Sequence, residues 1–250
     1  MINKKIVFAV LIFAGVSFSA EAERPSQDRS FKAGLGIAIG NSLYKGDNER
    51  VFPVPMIYYN YGKFGVSGSM IGYEIFEADK FSASLIAKWR FDGYEEDDSD
   101  YLDGMDDREM TLDGGIQIAY SDGWGKTTAS FLTDMLGYHD GQEVMLSYSK
   151  RFSKKAFSLT PSVGVIYGSS NLCDYYYGVR ADEQMPGRPE YNVSEAWNPF
   201  VSLNIGYELN EKWSLITLLG YKWLDDEISN SPIVDSTYEA VLMTGLLYTF

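Results

Sequence analysis

The sequence predicts an all-β protein, a single transmembrane antiparallel up-and-down β-barrel of about 12 strands. Three observations lead to this fold class. Segments of ten or eleven residues alternate apolar and small polar side chains with the period of a β-strand. The chain ends on an aromatic residue, Phe250, that completes such a segment, and its start has the features of an export signal. Bands of aromatic residues where strands leave the hydrocarbon would also account for the 19 tyrosines.

The first 22 residues are expected to be a cleaved secretory signal peptide. Lys4 and Lys5 precede an apolar run over 6–16, and the cleavage-like triplet Ala20-Glu21-Ala22 follows. The alternative is a retained membrane anchor, but the apolar run is too short to cross a bilayer. Residues 23–250 are therefore expected to form one barrel domain in the outer membrane of a Gram-negative cell.

The net charge argues against a nucleic-acid partner, and the cysteine count excludes an internal disulfide. Removing the signal peptide changes the formal charge from −14 to −14 − 2 + 1 = −15. Such a surface does not suit nucleic acid. Cys173 is the only cysteine, which rules out an internal disulfide.

The clearest transmembrane β-strands are predicted at 81–91, 157–167, 201–209 and 213–223. In each segment one face is aliphatic and aromatic, whereas the other is rich in serine and glycine. About ten residues suffice for a tilted strand to cross the hydrocarbon. The small polar rows suit a narrow barrel lumen better than the water-facing side of a soluble sandwich.

The remaining strands give a count near twelve. They are expected at 30–40, 51–60, 63–74, 109–121, 125–136, 142–152 and 239–250. The total is then eleven, whereas single-chain bacterial barrels have an even number. We expect 173–180 to supply the twelfth strand, with a ten-stranded barrel as the alternative. In the last strand Leu246, Tyr248 and Phe250 are predicted to form the signal for barrel insertion.

Three long connections, about 92–108, 168–195 and 225–238, are where binding is expected, since function on such a scaffold usually lies in loops. The first connection holds nine acidic residues and no basic residue before Arg108. Asp97, Asp98, Asp100 and Asp103 are weak candidates for a divalent-cation site. Their spacing does not match an EF-hand, so a solvated acidic loop is the favoured interpretation. No cofactor is expected, and the side of the membrane that this loop faces is left open.

Two other functions are weighed against a binding scaffold. The single histidine, His139, lies in a turn-like sequence without an accompanying serine motif, so no catalytic residue is expected and a lipid-modifying barrel enzyme is disfavoured. A small-solute pore is the second alternative, because several charged side chains are predicted to face the lumen. These are Lys32, Lys88, Arg90, Asp113, Arg151, Glu208 and Lys222. Their mixed signs favour internal ion pairs over a selective channel.

A series of short motifs runs through almost the whole mature chain. They are Gly34-Leu35-Gly36, Tyr44-Lys45-Gly46, Phe52-Pro53-Val54-Pro55, Leu102-Asp103-Gly104-Met105, Tyr176-Tyr177-Gly178-Val179, Pro189-Glu190-Tyr191, Gly206-Tyr207-Glu208-Leu209, Trp213-Ser214-Leu215, Leu219-Gly220-Tyr221, Ser231-Pro232-Ile233-Val234 and Tyr248-Thr249-Phe250. In their order these motifs resemble the MipA/OmpV family of outer-membrane proteins.

The resemblance implies a barrel without catalytic residues or cofactors, surrounded by outer-membrane lipid and lipopolysaccharide and inserted by the barrel assembly machinery. One family member is a scaffold that brings a murein-cleaving transglycosylase to a penicillin-binding murein synthase. Other members are linked to osmotic response, adhesion or antibiotic susceptibility. We therefore expect a scaffold for peptidoglycan-remodelling enzymes of the cell envelope, with a small-solute pore, an adhesin or an osmotic-response barrel as alternatives.

Five residues of the long connection 168–195 are the candidates for contact with a partner. They are Tyr177, Gly178, Val179, Pro189 and Tyr191. Glycine permits a backbone turn there, and tyrosines offer rigid contact surface. The alternative is that these residues only pack the loop itself.

Overall fold

A computed structural model describes residues 29–46 and 50–250, which form one closed antiparallel sheet with short helices between some strands. The predicted signal peptide lies outside the described residues. The strands are β1 (Ser30–Gly40), β2 (Arg50–Tyr61), β3 (Phe64–Ser67), β4 (Met70–Ala78), β5 (Phe81–Arg90), β6 (Thr111–Asp122), β7 (Gly125–Asp134), β8 (Gln142–Ser149), β9 (Phe152–Lys154), β10 (Phe157–Gly168), β11 (Ala196–Glu208), β12 (Trp213–Trp223) and β13 (Tyr238–Thr249). The helices are α1 (Ser170–Tyr177), α2 (Asp226–Ser229) and one turn of 3-10 helix at Glu96–Asp98. Among the described residues, no helix is both long and apolar enough to cross a membrane.

The sheet closes where the first strand pairs with the last. β1 and β13 run antiparallel from the pair Lys32 and Thr249 to the pair Gly40 and Val241. β8 and β9 both pair with β10, so they form one barrel strand that is interrupted between Ser149 and Phe152. The thirteen segments therefore make a twelve-stranded barrel, which confirms the predicted fold class. At the seam between β1 and β13, this closure satisfies the backbone hydrogen bonds that an open edge would leave unmade in lipid.

The twelfth strand is not the one predicted. The segment 173–180 forms most of α1 and the residues after it, so its prediction as a strand is wrong. Instead, 63–74 contains parts of two strands, β3 and β4, joined by a tight turn in which Gly68 has φ +58°. β3 is only four residues long, and it pairs with the last four residues of β2.

Side chains alternate between the lipid and the lumen as the sequence predicts. On β5, Phe81 and Leu85 are each 53% exposed and point outward, whereas Lys88 and Arg90 point inward and are buried. The same outward apolar row continues on β13 through Leu242 and Leu246. This continuous outer band is the surface that a barrel presents to hydrocarbon.

Aromatic side chains pair at both ends of this band. At one end the rings of Phe31 and Phe250 stack with their centroids 4.9 Å apart. At the other end Tyr221 stacks on Tyr238, with 5.2 Å between the centroids. Such girdles mark the two membrane interfaces.

The two ends of the barrel differ in their connections. The turn end carries the start of β1, the end of β13 and the short connections after β2, β4, β6, β9 and β11. The loop end carries the long connections after β1, β5, β10 and β12, together with both helices. The loop end is thus where the irregular sequence gathers.

Candidate functional site

The long connections fold into one layer over the loop end, which we call the cap and define as residues 41–46, 91–110, 169–195 and 224–237. The cap has its own hydrophobic core. Its buried side chains include Leu43, Tyr44, Tyr94, Leu102, Met105, Leu172, Cys173, Tyr176, Tyr177, Val179, Val193, Leu224, Ile228, Ile233 and Val234. The cap is therefore a packed lid and not a set of separate loops.

Helix α1 forms the centre of the cap. The carbonyl of Ser169 accepts the first helical hydrogen bond from Cys173, and the helix ends where Gly178 donates to the carbonyl of Asp174. Gly178 has an ordinary negative φ of −76°, so left-handed backbone is not the reason for glycine here. A Cβ at this position would lie 2.5 Å from the carbonyl oxygen of Asp174, which makes close approach the reason.

The motifs that resemble the family meet in the cap. Tyr44 bridges to Val234, and Val179 bridges to Tyr191. The hydroxyl of Ser231 donates to the carbonyl of Tyr177 over 2.6 Å. Residues far apart in the sequence thus share one packed core.

This placement also locates the five candidate contact residues. Tyr177, Gly178 and Val179 are buried in the cap, and Tyr191 is half-buried. Pro189 is exposed. Of the five, Pro189 alone is exposed.

The acidic stretch after β5 is folded by its own hydrogen bonds. The carboxylate of Asp98 accepts from the backbone N–H of Glu95, and that of Asp107 accepts from the N–H of Glu96. The four cation candidates Asp97, Asp98, Asp100 and Asp103 do not gather their oxygens into one group within the described part of the chain.

One buried ion pair joins the connection after β5 to the connection after β10. Arg108 and Glu183 are 1% and 3% exposed at their side chains, and the guanidinium donates to both carboxylate oxygens over 2.8 and 2.9 Å. Glu183 also accepts from the backbone N–H groups of Arg180 and Asp106. Burial by itself would raise the pKa of Glu183, but these backbone donors and Arg108 outweigh it and lower the pKa below its ordinary value.

We expect acid to loosen the cap through Glu183. Because the pKa of Glu183 is lowered in the folded protein, its ionised form stabilises the cap above the ordinary carboxyl pKa, and this stability is lost as the pH falls through the lowered value. Cys173 is the reporter, since it is 3% exposed and burial raises the pKa of its thiol to about 12. Its reaction with 4,4'-dithiodipyridine, normalised to heat-unfolded protein at each pH, should accelerate below about pH 4.

The variant Glu183→Gln should show the same loosening at neutral pH. Loss of the charge-assisted bonds to Arg108 is expected to cost about 2 kcal/mol, or roughly thirtyfold in cap opening. The matched control is Arg180→Ala, because Arg180 pairs with Asp106 at the surface, where the side chains are 50% and 65% exposed. Equal labelling of Cys173 in both variants would contradict a cap held by Glu183.

Beneath the cap, one half of the lumen holds a buried ion cluster. The guanidinium of Arg90 lies 2.6 Å from Asp113, 2.8 Å from Asp92 and 2.8 Å from Glu143. Lys88 pairs with the other oxygen of Glu143 over 2.9 Å. Two cations thus face three carboxylates. The predicted internal pairing is confirmed for Lys88, Arg90 and Asp113.

The other predicted lumen charges divide into two groups. Lys222 is buried and forms an ion pair with Glu239. Arg151 and Glu208 are exposed at the turn end, and Lys32 is half-buried near the start of β1. Since these three side chains are not buried, their pairing within the lumen stays a prediction.

The other half of the lumen is filled by apolar side chains. This cluster is Ala38, Phe52, Val54, Met56, Met145, Phe200, Leu218, Val241, Met243 and Leu247. Between α1 and the ion cluster lies a cavity of about 40 Å³, which has room for only a few water molecules. In the described part of the chain, the lumen is therefore packed and capped.

His139 belongs to the wall of this polar half. Its Nε2 lies 3.0 Å from Asp113, and its Nδ1 accepts from the backbone N–H of Gly141 over 2.9 Å. The accepting Nδ1 makes Nε2 the protonated nitrogen that donates to Asp113. Both ring nitrogens are occupied, so neither is placed to take a proton from a nucleophile.

Asp113, Asp134 and His139 bring possible ligand atoms within 4.8 Å of one another. Hydrogen bonds within the chain account for all three. The carboxylate of Asp134 accepts from the backbone N–H groups of Leu136, His139 and Asp140, which shapes the connection after β7. Since Nδ1 of His139 is already an acceptor, the group does not have the free lone pairs of a metal site.

Comparison with known proteins shows to which family the chain belongs. The profile of the family described as MltA-interacting protein MipA matches residues 33–250. The chain belongs to the MipA family. It is 31% identical over 256 residues to YiaT of Escherichia coli strain K12, whose name describes an outer membrane protein. This match covers 100% of both chains. It is 28% identical over 243 residues to the MltA-interacting protein of the same strain, covering 96% of this chain and 98% of that protein.

Solved structures resemble the chain less closely. The COG4313 outer membrane channel from Pseudomonas putida F1 is 9% identical, with a TM-score of 0.44 over 90% of this chain and 96% of the channel.

The family and the barrel architecture place this MipA-family protein in the bacterial outer membrane. Outer-membrane barrels have short periplasmic turns and longer outer loops, so the turn end faces the periplasm and the cap faces outward.

Proposed function

We propose that this MipA-family barrel is a non-enzymatic scaffold that docks murein-remodelling enzymes at the periplasmic face of the outer membrane. The observation that carries the proposal is the packed and capped lumen. A barrel that conducts solutes needs an aqueous path, whereas here an apolar cluster and an ion cluster fill the lumen beneath α1. This filling favours a scaffold over a small-solute pore.

The partner chemistry is carried over from the family. A relative across nearly the whole chain is named MltA-interacting protein. We infer a murein transglycosylase as the first partner and a penicillin-binding murein synthase as the second. The occupied ring nitrogens of His139 support the non-enzymatic part of the proposal.

A basic rim on the turn end is the docking surface that we favour. It consists of Lys150, Arg151, Lys154 and Lys155 in and beside the connection after β9. Trp124 lies next to them with 77% of its surface exposed, and the ammonium of Lys150 lies 5.8 Å from its ring centroid. An exposed aromatic residue beside clustered cations is typical of a contact with an acidic partner.

We expect the double variant Lys154→Glu and Lys155→Glu to lose the partners but to keep the barrel. Both side chains are exposed, Lys154 at the end of β9 and Lys155 in the turn that follows, so their replacement leaves the packing of the barrel intact. The measurement is chemical crosslinking in cell envelopes, followed by affinity purification and quantitative mass spectrometry. Recovery of murein transglycosylases and synthases should fall at least about tenfold, since charge reversal adds repulsion to the lost attraction.

The matched control is Lys63→Glu with Lys80→Glu, which makes the same charge change in the turns after β2 and β4. Its recovery should stay near that of the wild type. Equal losses in both double variants would reject the basic rim as the docking surface. Recovery of no murein enzyme with the wild-type protein would reject the scaffold itself.

A further inference from the structure

A groove of about 510 Å³ crosses the lipid-facing wall over strands β3 to β7. We infer that it binds an acyl chain of lipopolysaccharide in the outer leaflet. This inference rests on the outer-membrane location and is independent of the scaffold function. The volume of the groove lies within the range of small-molecule sites, although its wall is the outer surface of a barrel.

The strand register explains why the wall is concave there. Ile71, Ala87 and Gly114 stand opposite one another on β4, β5 and β6. Two of these three residues, Ala87 and Gly114, are small, and they form the floor of the groove. The next row toward the turn end is bulky, with Leu85 opposite Ile116.

The rest of the groove is bordered by large apolar side chains. Phe131 stands opposite Ile116 and extends the bulky row onto β7. Met135 closes the groove at the loop end, where its Sδ would lie 2.3 Å from a Cβ added to Gly114. A shallow channel between rows of large side chains is the result.

The groove lies in the half of the membrane nearest the cap. Ala87 is three residues from the loop end of β5, and Gly114 is three residues from the loop end of β6. Because the cap faces outward, this half corresponds to the outer leaflet. Lipopolysaccharide is the lipid whose acyl chains fill that leaflet.

The apolar lining disfavours a peptide as the occupant of the groove. All of the side chains that line the groove are apolar except that of Tyr73. A peptide laid in the groove would bury its backbone N–H and C=O groups without partners, at a cost of several kcal/mol for each group. A hydrocarbon chain has no such groups.

A neighbouring protein strand is also disfavoured by the nearest open edge. β3 ends at Ser67 opposite Tyr58, so the half of β2 beyond this point has no strand partner on that side among the described residues. The carbonyl of Ile57 accepts from Gly68 on this side, so the backbone of Pro55 and Pro53 faces the same way. Proline has no N–H to donate, which blocks strand addition. The prolines of the motif 52–55 thus protect an edge in the membrane.

The test places a photoreactive residue, p-benzoylphenylalanine, at position 87 in the full-length protein in cells. The control position is 37, because Ile37 also points outward and lies three residues from the loop end of its strand, but outside the groove. After irradiation, adducts are detected with an antibody against lipid A and identified by mass spectrometry. We expect at least about a fivefold excess of lipopolysaccharide adduct at position 87 over position 37.

A second variant fills the groove while the probe stays in place. Gly114→Leu should lower the adduct at position 87, because its side chain displaces the flexible end of Met135 into the groove. The electrophoretic shift of folded barrel on heating verifies that each variant has assembled. Equal adducts at positions 87 and 37, or adducts at position 87 with phospholipid or with protein, would overturn the inference.

Discussion

Removal of the last three residues, Tyr248 to Phe250, is expected to abolish assembly of the barrel. The backbone N–H of Phe250 donates to the carbonyl of Phe31 over 3.0 Å, and the two rings stack at the seam. Tyr248 stands opposite Ala33 on one side and Trp213 on the other. The truncation therefore opens the sheet at the seam, where each unpaired backbone group in lipid costs several kcal/mol.

The measurement is the amount of heat-modifiable barrel in purified outer membranes. We expect at least about a tenfold loss for the truncated chain, because both the closing pairs and the terminal insertion signal are removed. Phe250→Tyr serves as the control, since it keeps the aromatic ring, whereas Phe250→Asp should behave like the truncation. Normal assembly of the truncated chain would contradict both the seam and the predicted role of Leu246, Tyr248 and Phe250.

Most of the barrel could be predicted because a transmembrane strand has to satisfy two environments. Lipid requires an apolar outer row, and the narrow lumen requires small or paired side chains, so the period of two is strict. β12 follows it over its whole length from Trp213 to Trp223. The same constraint fixed which side chains of β13 face the lipid.

The two errors in the strand count have local causes. The segment 173–180 contains aromatic residues that favour strands, but tertiary packing in the cap holds most of it as a helix. The hairpin of β3 and β4 did carry a signal, because Gly68-Ser69 is a two-residue sequence typical of tight turns. It was missed because the apolar pattern continues on both sides of the turn.

The cap could not be predicted from sequence patterns. Its core joins Tyr44, Tyr94, Tyr176 and Val234, which belong to four different connections. Irregular segments have no periodicity that would reveal which residues meet, and a buried pair such as Arg108 with Glu183 is separated by 75 positions. The resemblance to the family indicated which motifs matter, but not that they pack together.

Replacement of Arg90 with methionine is expected to destabilise the barrel more than the loss of any surface pair. In the described part of the lumen, the guanidinium of Arg90 lies within 2.8 Å of both Asp113 and Asp92. Arg90→Met keeps much of the side-chain volume but removes the positive charge that these buried carboxylates face, which is expected to cost about 3–5 kcal/mol. The temperature at which folded protein converts to unfolded protein in electrophoresis should fall accordingly.

The physical origin of this loss can be separated from a simple packing defect. If unpaired negative charge causes it, Arg90→Met combined with Asp113→Asn should be more stable than the sum of the two single changes predicts. If the cavity causes it, the two effects should add. Arg180→Met is the surface control, with an expected effect of about 0–1 kcal/mol, because water screens the Arg180 and Asp106 pair. A barrel in which Arg90→Met is as mild as Arg180→Met would not depend on its lumen cluster for stability, and the packed lumen would then rest on the apolar half alone.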